Sequence, residues 1–310
     1  MMLMKEYLNC LVVGHTDGHG AVATAISIKN LQRECENVDY IAKFPDTGVI
    51  PKFWKETISD IKEKAKNYDK IVFVDIPLDK FTLEESARKL SEICSITETH
   101  YVDHHEMPEE IKEFLEKYGC KVTVRKSAYD TVYGKPDLKW NLVGAISDRD
   151  PTIRHKVTEE LQELADGLDV LVRKDLSKAI DAIIKNKESV FKEEAKRVPD
   201  PHDMEVHGSV VVVKDEIPET WIYKVLDKAC RKTGADYAIY LSENRRDRTT
   251  GELRDYVSVV KYWLSDKPSV KSKLSEELQS EAFGHPDAQT IVVEPGRGKE
   301  VVGKLLDELR

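Results

Sequence analysis

What most limits the fold of this chain is where its acids and imidazoles stand: each group follows a short apolar run. Leu11-Val12-Val13 leads into His15, Asp17 and His19, and Ile71-Val72-Phe73-Val74 ends at Asp75. Tyr101-Val102 runs into Asp103-His104-His105, and Leu142-Val143-Gly144-Ala145-Ile146 precedes Asp148. A parallel α/β sheet gathers groups of this kind at the edge formed by the carboxyl ends of its strands, which is where such sheets bind ligands. Mixed carboxylate and imidazole sets suit two divalent cations held close together. Such a site binds phosphate oxygens and activates water.

The rest of the first half fits that frame. Apolar runs predict strands at 8–13, 40–43, 71–75, 100–103 and 121–124, with helical spacing over 21–31, 53–66, 83–93 and 108–118. The expected fold class is therefore α/β, a mostly parallel sheet with helices on both faces, over 1–154. Residues 155–204 are helical in pattern, heavily charged and without strand candidates. They end at Val198-Pro199-Asp200-Pro201-His202-Asp203, which predicts a helical connector and then a boundary. A smaller α/β domain is expected over 205–310, with strands at 209–214, 237–241, 256–263 and 290–293 and helices at 219–232 and 299–309. The stretch Asn244 to Gly251 reads as a hairpin tip carrying several arginines.

Bulk properties exclude some functions. With 48 basic and 57 acidic residues the net charge is −9, so an extended basic nucleic-acid coat is absent and any such contact must be local. No run of 18 or more apolar residues and no charged-then-apolar leader occurs, which argues against a membrane partner. The five cysteines are scattered, without a CxxC pair. That pattern predicts reduced thiols, and with them a cytoplasmic location.

Each candidate also has a plain structural explanation. His15-Thr16-Asp17-Gly18-His19-Gly20 could be an ordinary strand-to-helix loop, Asp75 a turn or cap residue, and Asp148 or Asp150 a salt-bridge partner of Arg149. Asp103-His104-His105 is harder to explain in that way, because an acid and two imidazoles behind a core strand need partners when buried.

As a set, these four elements resemble the motifs of the DHH phosphoesterase superfamily, named for the triplet at Asp103-His104-His105, in its RecJ-like and nano-RNase-like branches. The first motif, usually HxDxDG, reads His15-Thr16-Asp17-Gly18-His19-Gly20. Asp75 matches the second motif and Gly144-Ala145-Ile146-Ser147-Asp148 the fourth. The resemblance implies that His15 and Asp17 hold one cation and Asp75 bridges two. His104 and Asp148 would complete the second set, with His105 near the phosphate and Asp103 a ligand or its support. His19 departs from the usual Asp. A neutral imidazole there removes a negative charge, which can favour a softer transition metal over Mg²⁺ or leave the second metal weakly held; Mn²⁺ remains the first expectation, with Mg²⁺, Co²⁺ or another transition metal as alternatives.

More loosely, Ala282-Phe283-Gly284-His285-Pro286-Asp287-Ala288-Gln289 is similar to the GGGHxxAAG-type motif of the DHHA1 substrate-binding domain. This implies that Gly284 and His285 contact substrate, with Arg254 among the arginines able to bind phosphate. The competing explanations are a plain turn at Gly284-His285-Pro286 and arginines neutralised by Asp247, Glu252 and Asp255.

The function expected from the resemblance is a metal-dependent phosphodiesterase or exonuclease acting on short single-stranded oligonucleotides or linear dinucleotides. The second domain would hold the nucleotide. Alternatives are a phosphomonoesterase or small polyphosphate or pyrophosphate hydrolase, and a non-catalytic nucleotide- or replisome-binding protein. The sequence leaves a homodimer open.

Overall fold

The computed structural model describes residues 7–41, 53–247 and 250–310. The chain divides into two compact units, residues 1–196 and 197–310.

In the first unit, strands β1 (Tyr7–Gly14), β2 (Cys35–Ile41), β3 (Lys70–Val74), β4 (Glu98–Asp103) and β5 (Cys120–Val124) form one sheet in the order β2-β1-β3-β4-β5. Every neighbouring pair is parallel. The chain leaves β2 on one side of β1 and returns as β3 on the other. The strand order therefore reverses between β1 and β3, where ligands of open α/β sheets bind. β3 is buried along its whole length, as a strand covered on both faces must be.

Helix α1 (Gly18–Leu31) follows β1 and is buried on nearly every side. It lies on β1 and is covered in turn by α5 (Leu138–Ser147) and by α7 (Leu176–Ile184). The opposite face of the sheet carries α2 (Ile58–Lys64), α3 (Leu83–Cys94) and α4 (Glu109–Lys117), around a core of Leu11, Phe53, Trp54, Ile71, Phe73, Leu90 and Tyr101. Helices α6 (Glu159–Lys174) and α8 (Glu188–Ala195) complete this unit.

Several expectations need correction. The run Leu142 to Ile146 is not a sheet element; it lies within helix α5, so Asp148 is delivered by the C-terminal end of a helix. The strand expected at 40–43 is Cys35–Ile41, and 42–43 fall outside the described residues. It is an edge strand with one polar face, so no apolar run marks its start. The helix expected over 53–66 is a π-helical turn (Phe53–Thr57), then α2, then a 3₁₀ turn (Ala65–Asn67).

The cysteines are not all reduced. Cys10–Cys35 and Cys94–Cys120 are disulfides, with Cα atoms 6.2 and 5.2 Å apart, and Cys230 is free and buried. The fold pairs residues 25 and 26 positions apart, which spacing alone does not show. The cysteine argument for a cytoplasmic location therefore falls away. Among the described residues, no helix is long and apolar enough to cross a membrane.

The second unit is a six-stranded mixed sheet in the order β10-β11-β9-β8-β7-β6. Its strands are β6 (Met204–His207), β7 (Val210–Val213), β8 (Tyr237–Arg246), β9 (Leu253–Lys261), β10 (Ala282–His285) and β11 (Ala288–Val293). Only β7 and β8 pair in parallel. Helix α9 (Ile222–Thr233) packs on one face, and helix α12 (Gly298–Leu309) packs on the other, with the short helices α10 (Val270–Lys273) and α11 (Glu276–Glu281) beside it. The edge strands β6 and β10 are short and part polar, so periodicity did not mark them.

Candidate metal centre

Asp75 stands immediately after β3, at the strand-order reversal, and is 2% exposed. Its N–H donates to the Val102 carbonyl at 2.9 Å, one step beyond the β3–β4 ladder. Its φ of 58° is left-handed. That conformation costs a non-glycine residue on the order of 1–2 kcal/mol, although Asp tolerates it better than most.

Around it, β1 contributes the loop entering α1. Asp17 is the N-cap: its Oδ1 accepts from the Gly20 N–H at 2.7 Å, and its Oδ2 lies 2.6 Å from Nδ1 of His15. Helix and loop approach closely here, for a Cβ on Gly20 would fall 2.5 Å from the His15 carbonyl oxygen. His19, in the first turn of α1, is 3% exposed. Its Nδ1 lies 3.0 Å from Oδ2 of Asp75 and its Nε2 lies 2.8 Å from the Ala128 carbonyl. From the end of β4, His104 places Nε2 3.2 Å from Oδ1 of Asp75 and 3.6 Å from Oδ2 of Asp148. Donor atoms thus cluster as His15, Asp17 and Asp75, as His19, His104 and Asp148, and as Asp75, Asp103, His104 and His105, each set within 4.8 Å.

Several donor atoms in this cluster approach one another closely without a proton assigned between them. A carbonyl oxygen only accepts, so Nε2 of His19 carries the proton that Ala128 receives. Nδ1 of a neutral His19 then presents a lone pair to a carboxylate oxygen 3.0 Å away. Nδ1 of His19, Oδ2 of Asp75 and Nε2 of His104 are all buried without a hydrogen-bond partner. Such an arrangement needs positive charge between its members, from a proton or a cation. The residues present therefore fit divalent metal, with oxygen and imidazole donors in the proportions manganese and its neighbours accept.

Without metal, protons take that place. Burial lowers the His19 imidazole, but the Asp75 charge more than reverses this and brings it to about 10. Burial would raise Asp75, yet His19 and His104 hold it well below the usual carboxylate range. Asp148 is pushed up to about 6, first by burial and also by the Asp75 charge, with His19 opposing. His15 is lowered by burial and raised further by Asp17, for a net upward shift.

Asp103 is tied up by its neighbours. Its Oδ1 accepts from the His104 N–H and faces Nδ1 of His105, both at 2.9 Å, while its Oδ2 accepts from the Tyr101 hydroxyl at 3.0 Å. His105 is the exposed member of the triplet and shifts upward overall, burial opposing and Asp103 prevailing. Sequence reasoning missed Tyr101 and the Ala128 carbonyl. Tyr101 had a signal, since two residues before Asp103 on a strand is the same face; a backbone carbonyl had none.

The remaining candidates lie in the second unit. Arg254 pairs with Glu252 at 2.6 Å and also with Glu294, and Arg245 pairs with Glu219 and lies over the Tyr256 ring. Arg248 is outside the described residues. Gly284 has φ 127°, and a Cβ on it would sit 2.4 Å from the Ala288 carbonyl oxygen, so the β10–β11 hairpin itself requires glycine. His285 belongs to β10, but its side chain lies outside the described residues.

No family model matches the sequence, and no curated protein matches it significantly. Similar solved structures include exonuclease RecJ bound to manganese, at 14% identity and a TM-score of 0.45, covering 98% of this chain and 91% of that one. The pGpG-specific phosphodiesterase PggH from Vibrio cholerae is similar at 12% identity and 0.48, covering 97% and 98%. CDC45 from Entamoeba histolytica is similar at 6% identity and 0.45, covering 97% and 95%.

Proposed function

We propose that this chain is a DHH-superfamily phosphoesterase, a metal-dependent phosphodiesterase that hydrolyses short single-stranded oligonucleotides or linear dinucleotides. The observation that carries this is the partnerless buried contact between Nδ1 of His19 and Oδ2 of Asp75, with Nε2 of His104 on the other carboxylate oxygen. His15, Asp17 and Asp75 would hold one divalent cation, and Asp75, His19, His104 and Asp148 a second, Mn²⁺ first. When bound, such cations polarise a phosphoryl oxygen and make water a nucleophile at neutral pH.

The chain's own residues do the rest. With neutral imidazoles, Asp17, Asp75, Asp103 and Asp148 bring four negative charges, which two divalent cations would balance. Protonation of His105 would then add the positive charge that favours an anionic phosphate. Asp103 takes the Nδ1–H of His105 and raises this imidazole, so that in its protonated form Nε2–H would donate to a phosphate oxygen or a leaving alkoxide. Tyr101 holds Asp103 in turn, so the orientation of His105 is set from inside the sheet.

The test is hydrolysis of a labelled dinucleotide, a short oligomer, pyrophosphate and bis-p-nitrophenyl phosphate, with Mn²⁺, Co²⁺ or Mg²⁺ added. Metal-dependent cleavage of the nucleotide substrates is expected. Turnover of none of the four with any of the three metals would refute the reading.

A further inference from the structure

Three helices of the first unit meet beside the metal centre, and two of them carry its ligands. α1 begins at Gly18, between Asp17 and His19, and α5 ends at Ser147, with Asp148 as its C-cap. The two helices touch through small residues. A Cβ on Gly144 would fall 3.0 Å from Cβ of Val22, and a Cβ on Gly18 would fall 3.0 Å from Cβ of Ser147. The end of α5 is closed by backbone bonds that take in the ligand itself. The Asp148 N–H donates to the Gly144 carbonyl at 3.0 Å, and the Asp150 N–H to the Ala145 carbonyl at 2.9 Å. Whatever fixes Ser147 therefore fixes the backbone of Asp148.

Helix α6 supplies the fixing group. Ser147 Oγ donates to Oδ1 of Asp169, and a Cβ on Gly18 would collide with that same carboxylate oxygen. α6 is itself held tightly. A Cβ on Gly167, two residues earlier, would collide with the Phe191 carbonyl of α8. Asp169 thus stands on a firmly packed helix, at the point where the two ligand-bearing helices touch.

Packing alone does not explain a carboxylate here. Asp17, Asp75, Asp103 and Asp148 already crowd the centre, and another acid beside Gly18 adds like charge. The start of α1 attracts negative charge, but Asp17 already caps it, accepting from the Gly20 N–H. What distinguishes Asp169 is its bond to Ser147.

We propose that Asp169 is a positioning residue of the metal centre: through Ser147 it clamps the end of α5 against the start of α1, and so holds Asp148 in register with Asp17 and His19. It is not one of the clustered donors, and it acts through the hydrogen bond rather than through its charge. The inference rests on the metal-binding part of the reading above and is independent of the substrate.

The experiment is calorimetric titration of the full chain with Mn²⁺, alongside hydrolysis of bis-p-nitrophenyl phosphate, for Ser147→Ala, Asp169→Ala and Asp169→Asn. The first two lose the hydrogen bond and should bind the cation that Asp148 would hold about tenfold more weakly. Asp169→Asn keeps an acceptor for the Ser147 hydroxyl while removing the charge, so its Mn²⁺ affinity should stay within about twofold of the unaltered protein. A bond that merely stabilises the fold would lower the Tm of Ser147→Ala and leave Mn²⁺ affinity unmoved, which would overturn the proposal. An Asp169→Asn variant as weak as Asp169→Ala would overturn it too, since charge would then be the cause. Should Asp169→Ala fail to fold, Ser147→Ala and Asp169→Asn decide the matter between them. Mn²⁺ binding that follows the expected pattern without hydrolysis of any substrate would refute the phosphodiesterase reading and leave the clamp standing. No Mn²⁺ binding by the unaltered protein would overturn both.

Discussion

The His19–Asp75 contact makes metal binding a proton-release reaction, and its size follows from the structure. In the metal-free protein the Asp75 carboxylate raises His19 to about 10, against the pull of burial, so near pH 7 Nδ1 is protonated. A cation that takes Nδ1 must displace that proton. The apparent affinity at pH 7 is then lower by about a thousandfold, or ~4 kcal/mol, than it would be with the imidazole already neutral. Affinity should rise about tenfold per pH unit between pH 7 and 9 and level off near 10. Calorimetric titration with Mn²⁺ at pH 7, repeated in buffers of different ionisation enthalpy, should show release of about one proton per protein from this position. His19→Gln should remove it.

The metal-free protein should behave oppositely. A raised folded-state value for His19 stabilises the fold fully below its ordinary 6.5, and that contribution is lost as pH rises towards 10. Tm without metal should therefore fall over that window while Tm with metal holds. Metal affinity independent of pH, with no proton released, would refute the assignment of His19 as a ligand.

Asp75→Ala removes the carboxylate shared by both halves of the cluster, so Mn²⁺ content and turnover should fall together, turnover by more than about a hundredfold, with unchanged circular dichroism; near-normal turnover would rule out the constellation. The two disulfides close loops of 25 and 26 residues, each constraining the unfolded chain by about 3.5 kcal/mol. Reduction should thus lower the Tm of the first unit by about 7–14 °C per bridge, and a thermal scan with and without reductant checks it. Gly284→Val forces a Cβ against the Ala288 carbonyl at a positive φ, so it should destabilise the second unit by about 1–3 kcal/mol in chemical denaturation. An unchanged denaturation midpoint would return that glycine to the substrate-contact explanation.

What was legible in the sequence was what burial writes into it. β3 and the second half of β1 are buried throughout and read as continuous apolar runs, while β4 and the edge strand β5 are part buried and carry shorter apolar signals; the ends of all four were placed to within two residues. The groups that follow those ends, His15, Asp17, Asp75 and His104, come to one edge because parallel strands share a direction. Asp148 was found for a different reason from the one that places it, since its apolar run is a helix with both faces covered, and such a run has no period to betray it. Edge strands β2, β6 and β10 were shifted or missed, because pairing on one side and water on the other leave only a few alternating residues. The disulfides were misread because strand order, which decides the neighbour of Cys10, is a property of the whole sheet.

The departure at His19 carries its own support. The Ala128 carbonyl points at Nε2 from 2.8 Å, and a carbonyl so placed suits a donor only. Aspartate at 19, the residue the motif usually has, would set an acceptor against an acceptor in a buried space and leave Ala128 without its partner. That costs about 1–3 kcal/mol. The loop holding Ala128 is fixed in turn by Ser127 on Asp150, and Asn141 donates to the Tyr129 carbonyl at 2.6 Å. Residue 19 and this loop therefore match as a pair. A site losing function by random substitution would leave such a carbonyl unpaired. Here the imidazole is oriented by it, with its free nitrogen turned to Asp75. His19→Asp alone should then destabilise the protein in thermal melts even as it adds a hard ligand. Restored Mg²⁺ preference should require a change at 127–129 as well, so a single substitution that gained Mg²⁺ preference at no cost in Tm would show that the loop does not constrain the site.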